Sequence, residues 1–282
     1  KDVETYAKSN ACQLVVLATP QVFGAGHGKV LEKFDKLGLS VSYAPTMDRA
    51  FDYEVQLKAV KPEEVLGRPS AIEFDDSLST EINDKTVFVT GAGGSIGSEI
   101  CRQLLRYKPR KLIILEISEF ALYTLEQELT IIKRKQRLST QILYNLGSVT
   151  DLKIVNKIFE THKINLVYHA AAYKHVPILE ENIVVGLINN VSGTKIVAEV
   201  ASRCCVDKFV LVSTDKAIRP TNVMGASKRL AEFIIQNIAE DSKTIFTMVR
   251  FGNVLGSSGS VIPKFKSQIK EGGPVTVTHP DV

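Results

Sequence analysis

A glycine-rich turn between an apolar strand and a helix most constrains the fold of this chain. Residues 86–90 predict a buried strand, and TGAGGSIG (residues 90–97) follows it directly and opens a helix. Gly91 permits the tight turn out of the strand, Gly94 lets a pyrophosphate approach the backbone, and Gly97 lets the helix pack on the sheet. The helix N-terminus adds amide donors and a positive dipole. This context predicts a dinucleotide site rather than only a tight turn. The predicted cofactor-binding residues here are Thr90, Gly91, Gly94, Ser95, Ile96 and Gly97.

Strands and helices alternate over the rest of the chain. Helical segments separate further apolar strands, which are predicted at 111–115, 141–146, 165–169, 208–213 and 245–249. Such alternation is typical of an α/β fold, a doubly wound parallel sheet of Rossmann type. We assign this domain to residues 85–282. In such folds, chemistry is expected where the strands end.

The N-terminal part of the chain has the same pattern in shortened form. Strands are predicted at 13–18 and 39–43, with a helix between them. These are too few units for a complete domain, so we expect residues 1–50 to be the C-terminal part of a second Rossmann-like domain. Residues 51–84 lose periodicity and are predicted to be a linker. Because the chain starts without Met, we expect it to be a piece of a longer protein.

The composition argues against several functional classes. The chain has 282 residues, 44% apolar and 23% charged, which is ordinary for a globular protein. The net charge of +4 comes from scattered basic residues, so no nucleic-acid partner is expected. Four cysteines without a C-x-x-C pair favour a reducing, cytoplasmic compartment. His169 and His175 lack the neighbours of a metal site. No apolar run approaches the ~18 residues of a membrane span, so no membrane contact is expected from these residues.

Several residues outside the glycine turn are candidates for cofactor binding. Glu116 ends the second strand about 20 residues after the turn, where a carboxylate binds the adenosine ribose of NAD. Arg102 is a candidate partner for a 2′-phosphate, so NADP stays open. Ala170 and Ala171 provide a small-residue surface for a flat cofactor, and Asn190 is a candidate helix amide that supports the end of the fourth strand. The alternatives are that the alanines serve only for tight packing and that Glu116 is only a charge at a strand end.

The chemistry is expected between the fifth strand and the helix that follows it. Met224 and Lys228 share one helical face, and Lys228 is a candidate donor to the nicotinamide ribose. Strand alternation would point Asp215 away from Thr214 and Lys216, unless the strand has already turned. The thioether of Met224 cannot accept a proton. Proton transfer therefore depends on Thr214, Asp215 and Lys216, or the protein is inactive.

Several segments together carry a resemblance to one family: TGAGGSIGSE, HAAAYKHVPILE, STDKA, MGASK, RFGNVLGSSGSVIPKF and GGPVTVTHPD. From about Thr86 onward the chain resembles the polysaccharide-biosynthesis branch of UDP-N-acetylglucosamine 4,6-dehydratases, in the extended short-chain dehydrogenase/reductase (SDR) superfamily. Its long subgroup has Met where related enzymes use a Tyr base, so Met224 fits the branch. That subgroup also has an upstream Rossmann-like domain, a linker ending like Leu66–Pro69, and membrane helices further upstream.

The resemblance implies a redox-neutral reaction on a UDP-sugar. Hydride leaves sugar C4 for NAD(P)+, water is eliminated across C5 and C6, and hydride returns to C6. Lys216 is implied as the C5 base and Asp215 as the acid for the C6 hydroxyl, with a proton shared between them. Thr214 would orient the C4 hydroxyl and relay its proton. The implied substrate-binding residues are Lys174, His175 and Asn253, with Arg250, Ser257 and Ser258 as further candidates for the diphosphate.

The implied protein is an NAD(P)-dependent lyase that supplies precursors for capsule, lipopolysaccharide or O-antigen. It would hold and recycle NAD or NADP tightly, act on UDP-GlcNAc or a related UDP-sugar, and form a homo-oligomer. It would work at the cytoplasmic face of the bacterial inner membrane, anchored upstream of this chain. The family pattern continues beyond Val282, so the sugar pocket is expected to be truncated. Two alternatives stay open: a UDP-sugar 4-epimerase, which needs no C5 base, and a non-catalytic nucleotide-binding module.

Overall fold

The computed structural model describes residues 3–10, 12–17, 33–43, 58–59, 77–254 and 261–276. The chain divides into two compact units, residues 1–74 and residues 75–282.

The described part of the first unit contains a small sheet. Helix α1 (Val3–Ser9) precedes strand β1 (Leu14–Leu17), which pairs in parallel with β2 (Ser40–Tyr43). Both strands lie where the apolar runs predicted them. Strand β3 (Lys58–Ala59) pairs antiparallel with β2, within the segment predicted as a linker.

The second unit begins with helix α2 (Ser77–Ile82), ahead of the first strand of its sheet. Ile82 is buried with the apolar residues of this unit. The division into a domain fragment, a linker and a second domain remains a prediction.

The second unit is built on a six-stranded parallel sheet with the order β6-β5-β4-β7-β8-β9. The strands are β4 (Thr86–Thr90), β5 (Lys111–Glu116), β6 (Gln141–Leu146), β7 (Leu166–His169), β8 (Lys208–Val212) and β9 (Ile245–Val249). The chain leaves β4 toward one edge and later returns to β7 on its other side, so the strand order reverses between these two strands. A ligand crevice is expected at such a switch point.

Helices cover both faces of this sheet. The described helices that follow β4 are α3 (Ser95–Arg106), α4 (Glu119–Lys135), α5 (Leu152–Thr161), α6 (Val176–Glu181), α7 (Ile183–Leu187), α8 (Gly193–Arg203), α9 (Val223–Glu240) and α10 (Val261–Lys270). Phe88 packs in the core with residues of α5, α8 and α9, while Val87 and Val89 pack in the core with residues of α3 and α4. This alternation along β4 follows from strand geometry. The α/β Rossmann-like fold predicted from the sequence is confirmed.

One helical stretch includes a wider turn. Helix α7 continues through a π-helical turn (Ile188–Ser192) into α8. Among the described residues, the stretch Ile183–Arg203 alone is long and apolar enough to span a membrane, with a mean hydropathy of 1.3. The sequence analysis did not single it out. Val197, Val200 and their neighbours in α8 are buried in the core of the unit.

Candidate active site

A cavity of about 810 Å³ lies at the carboxyl ends of β4, β7 and β8. This volume is within the usual range for a small-molecule site. The segment after β7, the turn after β8, the start of α9 and residues 251–254 form its walls with the glycine turn. The predicted site residues that line it are Gly91, Gly94, Ser95, Ile96, Gly97, Ala170, Lys174, His175, Thr214, Lys216, Met224, Lys228 and Asn253.

The glycine turn is packed too closely for side chains at three positions. At Gly93 a Cβ would lie 2.5 Å from the Ala121 Cβ. Gly91 has a φ of +62°, and a Cβ there would lie 2.5 Å from the Ala171 Cα. At Gly97 a Cβ would collide with the Gly91 carbonyl oxygen and the Ala92 backbone. Gly94 differs, because the nearest atom to a Cβ there is the Gly91 oxygen at 3.3 Å. Ala171 thus packs behind the turn, while Gly94 lines the cavity at the N-terminus of α3.

The Glu116 carboxylate holds the glycine turn to the end of β5. Its Oε2 accepts a hydrogen bond from the Gly93 amide (2.8 Å), and its Oε1 accepts from the Ile117 and Ser118 amides (both 2.9 Å). The residue is only 7% exposed. Three backbone donors therefore fix the position of this carboxylate. Its contact with a ribose remains a prediction.

Arg102 requires a correction. Its Nε donates to Glu99 (2.7 Å), and its Nη1 donates to both carboxylate oxygens of Glu128 on α4 (3.0 and 2.9 Å). It does not line the cavity. Because these two carboxylates occupy the guanidinium, Arg102 is not available for a cofactor 2′-phosphate in this arrangement.

A buried polar chain lies beneath the cavity, between β4 and the π-helical turn. The Thr194 hydroxyl donates its one proton to the Asn190 carbonyl (2.7 Å). Its contact with the His169 Nε2 (2.9 Å) must therefore be one in which the hydroxyl oxygen accepts. His169 therefore carries its proton on Nε2, and its Nδ1 accepts from the Thr90 hydroxyl (2.7 Å). Burial, with the nearby charge of Lys228, lowers the pKa of His169 to about 3. Thr90 and His169 thus join strands β4 and β7 and do not line the cavity.

Asn190 fixes the cavity wall from behind. Its side-chain Oδ1 accepts from the Tyr173 amide (2.8 Å), and its Nδ2 donates to the Tyr173 carbonyl (3.0 Å) and to the Ser227 hydroxyl (3.0 Å). The predicted support for the end of the fourth strand is therefore present, although Asn190 itself does not line the cavity. Tyr173 does line it, and the sequence analysis missed this residue.

Thr214, Asp215 and Lys216 meet in one turn. Strand β8 ends at Val212, and a 3₁₀ turn (Asp215–Ala217) follows, so strand alternation no longer applies. Asp215 Oδ1 accepts from the Thr214 hydroxyl (2.9 Å) and from Lys216 Nζ (3.2 Å), and Nζ also donates to Asn253 Oδ1 (3.0 Å). The turn therefore brings all three predicted side chains together.

The Asp215 carboxylate is ionised in this arrangement. The slight burial of the group acts to raise its pKa, but hydrogen bonds from Thr214 and Lys216 and the Lys216 charge lower it below its ordinary value. An acid role requires the protonated form instead. Asp215 must therefore receive a proton before it can donate one.

Met224 and Lys228 present one face of α9 to the cavity, as predicted. They are 6% and 5% exposed. Burial lowers the pKa of Lys228 to about 8, although the Glu232 carboxylate acts to raise it. Gly225 lies against the other side of the site, where a Cβ would collide with the Lys216 carbonyl oxygen. The absence of a side chain at 225 allows α9 to approach the turn that contains Lys216.

Arg250 also requires a correction. Its Nε and Nη2 donate to the two carboxylate oxygens of Glu232 (2.8 and 2.5 Å), and it does not line the cavity. The guanidinium is therefore not aimed at a substrate diphosphate. The sequence analysis missed Glu232, although its position four residues after Lys228 is a signal that could have found it. Ser257 and Ser258 lie outside the described residues.

Comparison with known proteins identifies the family. The family described as "Polysaccharide biosynthesis protein" matches residues 87–282. The chain belongs to this family. The recognition made from the sequence segments is thereby confirmed.

Curated relatives of the family include several activities. The chain is 43% identical over 291 residues to the capsular polysaccharide biosynthesis protein CapD of Staphylococcus aureus, covering all of this chain and 47% of CapD. It is 34% identical to the inverting UDP-N-acetylglucosamine 4,6-dehydratase of Campylobacter jejuni, covering 70% of this chain and 58% of that enzyme. It is also 34% identical to the UDP-glucose 4-epimerase of Rickettsia rickettsii, covering 71% of this chain and 58% of that enzyme. The chain thus spans about half the length of these relatives.

Solved structures include relatives of the same fold. The X-ray structure of Pen from Bacillus thuringiensis has a TM-score of 0.65 and 37% identity, and the match covers 70% of this chain and 61% of Pen. The dTDP-glucose 4,6-dehydratase DesIV from Streptomyces venezuelae, solved with NAD and TYD bound, has a TM-score of 0.55 at 21% identity, covering 67% of this chain and 63% of that one. At that identity the likeness shows the fold alone.

Proposed function

We propose that this chain carries the catalytic domain of a UDP-N-acetylglucosamine 4,6-dehydratase that supplies a 4-keto-6-deoxy sugar nucleotide for capsular polysaccharide. One observation carries the proposal: the Asp215 carboxylate contacts Lys216, and Lys216 lines the cavity together with Met224, whose side chain cannot accept a proton. Elimination across C5 and C6 needs a base for the C5 proton and an acid for the C6 hydroxyl, whereas epimerisation at C4 needs neither of these two groups. Similarity to the Campylobacter dehydratase supports the proposal, and equal identity to the Rickettsia epimerase makes a direct test necessary.

The residues at the glycine turn fit a dinucleotide. Gly94 and the amides that begin α3 face the cavity with no side chain in the way, which suits a pyrophosphate. The buried Lys228 lines the same cavity and would donate to the nicotinamide ribose. We favour NAD over NADP, because the Glu116 carboxylate at the turn would repel a 2′-phosphate and Arg102 is engaged elsewhere. When bound, the nicotinamide supplies the hydride acceptor for C4 and the hydride donor for C6.

The Asp215–Lys216 pair can supply both proton transfers. As C4 is oxidised, the C4 hydroxyl proton would pass through Thr214 to the Asp215 carboxylate, which becomes the carboxylic acid. Lys216, after releasing its own proton to solvent, would remove the C5 proton as the amine, while Asp215 protonates the C6 hydroxyl as it leaves as water. When hydride returns to C6, the Lys216 ammonium would give a proton back to C5, so the pair ends as the amine and the carboxylate with which the cycle began. Asn253 holds the Lys216 Nζ in place for this exchange.

Incubation of the full-length protein with UDP-GlcNAc in deuterium oxide tests the proposal. The expected product is a UDP-4-keto-6-deoxy sugar that carries deuterium at C5, seen by proton NMR and mass spectrometry. A C4 epimer without C5 label would identify an epimerase instead. Unchanged sugar, with NAD(P) bound to the protein, would indicate a non-catalytic nucleotide-binding module.

Thr214→Val tests the route by which the C4 hydroxyl loses its proton. The Thr214 hydroxyl donates to Asp215 Oδ1, so it can pass a proton from the sugar to that carboxylate. We expect turnover to fall by about 10²-fold, the lower end of a general acid–base contribution, while dinucleotide affinity stays unchanged. Thr214→Ser keeps the hydroxyl and serves as the matched control. Full activity of the valine variant would rule out the relay.

A further inference from the structure

Glu232 is a fully buried carboxylate that the proposed reaction does not use. It lies on α9, one helical turn after Lys228, and is 0% exposed. Its Oε1 accepts from the Ser213 hydroxyl (2.6 Å) and Arg250 Nε (2.8 Å). Its Oε2 accepts from Arg250 Nη2 (2.5 Å) and Arg229 Nη1 (3.0 Å). Buried carboxylates are costly unless paired, and this one has four hydrogen bonds from three residues.

Two of these partners belong to the segments that form the active site. Ser213 directly precedes the Thr214–Lys216 turn. Arg250 directly precedes Phe251, whose carbonyl accepts from the Asp215 amide (3.2 Å). Further along, Asn253 accepts from Lys216. The Glu232 carboxylate therefore joins both segments to α9 at the point where each one reaches the cavity.

We infer that Glu232 is a positioning residue that fixes the Ser213–Lys216 turn and the Arg250–Asn253 segment against α9, and that its charge stabilises the Lys228 ammonium at the cavity. The hydrogen bonds from Ser213 and Arg250 support the positioning role. The spacing of one helical turn between residues 228 and 232 supports the effect of the charge on Lys228. A role of Lys228 in dinucleotide binding rests on the proposed function. The hydrogen bonds of Glu232 and the effect of its charge on Lys228 are independent of that function.

The charges around Lys228 explain why Glu232 matters. Burial lowers the pKa of this lysine to about 8, and Glu232 opposes that shift. Burial acts to raise the pKa of Glu232 itself, but bonds from Arg250, Ser213 and Arg229 lower it to about 2. Of the other titratable groups at this site, His169 on β7 is neutral, and Lys174, His175 and Lys216 line the same cavity. Glu232 thus supplies a negative charge near Lys228 that persists throughout the physiological pH range.

The direct test is the titration of Lys228 in the full chain without ligand. The protein is labelled with ¹³C,¹⁵N-lysine, and the Lys228 signal is identified by its loss in Lys228→Arg. In Glu232→Gln, which keeps the side-chain size but removes the charge, we expect the midpoint to fall by about one pH unit or more. Glu232→Asp restores the charge and should bring the midpoint back toward that of the parent. An unchanged midpoint in Glu232→Gln would overturn the inferred role of the charge.

The positioning role is tested by a matched pair of arginines on the same carboxylate. Arg250→Gln releases the 250–253 segment, whereas Arg229→Gln removes a partner that comes from α9 itself. In Arg250→Gln we expect NAD affinity to fall at least tenfold, and the kcat to change by a larger factor than the KM. In Arg229→Gln we expect NAD affinity, kcat and KM to stay within about twofold of the parent values. Equal effects of the two variants would overturn the inference. If the Lys228 midpoint shifts in Glu232→Gln but the parent protein has no dehydratase activity, the proposed function is contradicted and the inferred role of the Glu232 charge is not.

Discussion

Gly97→Ala is expected to cost about 1–3 kcal/mol of unfolding free energy and to abolish measurable dinucleotide binding, whereas Gly94→Ala should lose binding alone. A Cβ at 97 collides with backbone atoms of Gly91 and Ala92, which cannot move without displacing α3 from the sheet. At Gly94 the nearest atom, the Gly91 carbonyl oxygen, is 3.3 Å away, so a shift of a few tenths of an ångström would relieve the contact. The added methyl group would occupy the space where a pyrophosphate approaches the backbone.

Thermal or urea denaturation and calorimetric titration with NAD separate the two outcomes. Each glycine variant is the control for the other, because both lie in the same turn and receive the same substitution. If Gly94→Ala were destabilised as much as Gly97→Ala, the packing explanation would be wrong. If Gly94→Ala bound NAD normally, the pyrophosphate would have to lie elsewhere.

Lys216→Met should lower turnover by about 10²–10⁴-fold and prevent deuterium incorporation at C5, because the base is removed. NAD affinity should change little, since Lys228 and the glycine turn are intact. Lys216→Arg is the sharper variant, because a guanidinium keeps the positive charge and reaches Asp215 but does not become a neutral base. We expect it to be as inactive as the methionine variant.

Single-turnover assays with UDP-GlcNAc measure this effect and separate C4 oxidation from elimination. Lys243→Met, at an exposed position in the loop between α9 and β9, controls for the loss of a lysine charge. Substantial activity in Lys216→Arg would mean that the lysine acts by its charge and that another group removes the C5 proton.

The sheet and the glycine turn could be predicted because their signals are local. Apolar runs predicted strands at 208–213 and 245–249, and the structure has them at Lys208–Val212 and Ile245–Val249. The spacing of Gly91, Gly94 and Gly97 likewise contains what is needed to recognise the turn. Side-chain directions at the strand end could not be predicted, because the 3₁₀ turn at Asp215 depends on contacts with residues that come later in the chain.

The two arginines show why the rest of the site could not be read from the sequence. Arg102 and Arg250 were reasonable phosphate partners by position, but carboxylates on other elements bind both of them. Glu128 is 26 residues from Arg102, and Glu232 is 18 residues from Arg250. Pairings of this kind are set by how helices pack on the sheet. No spacing rule within one element predicts them.

The π-helical turn at Ile188–Ser192 has a consequence for evolution within the family. A π turn holds one more residue than an α turn, so this stretch behaves as a one-residue insertion in an otherwise regular helix. Deleting that residue would rotate every preceding side chain by about 100° relative to α8 and separate Asn190 from Tyr173. A single-residue gap at this place in a relative would therefore mark a rebuilt cavity wall and a candidate change in substrate choice, rather than neutral variation in length.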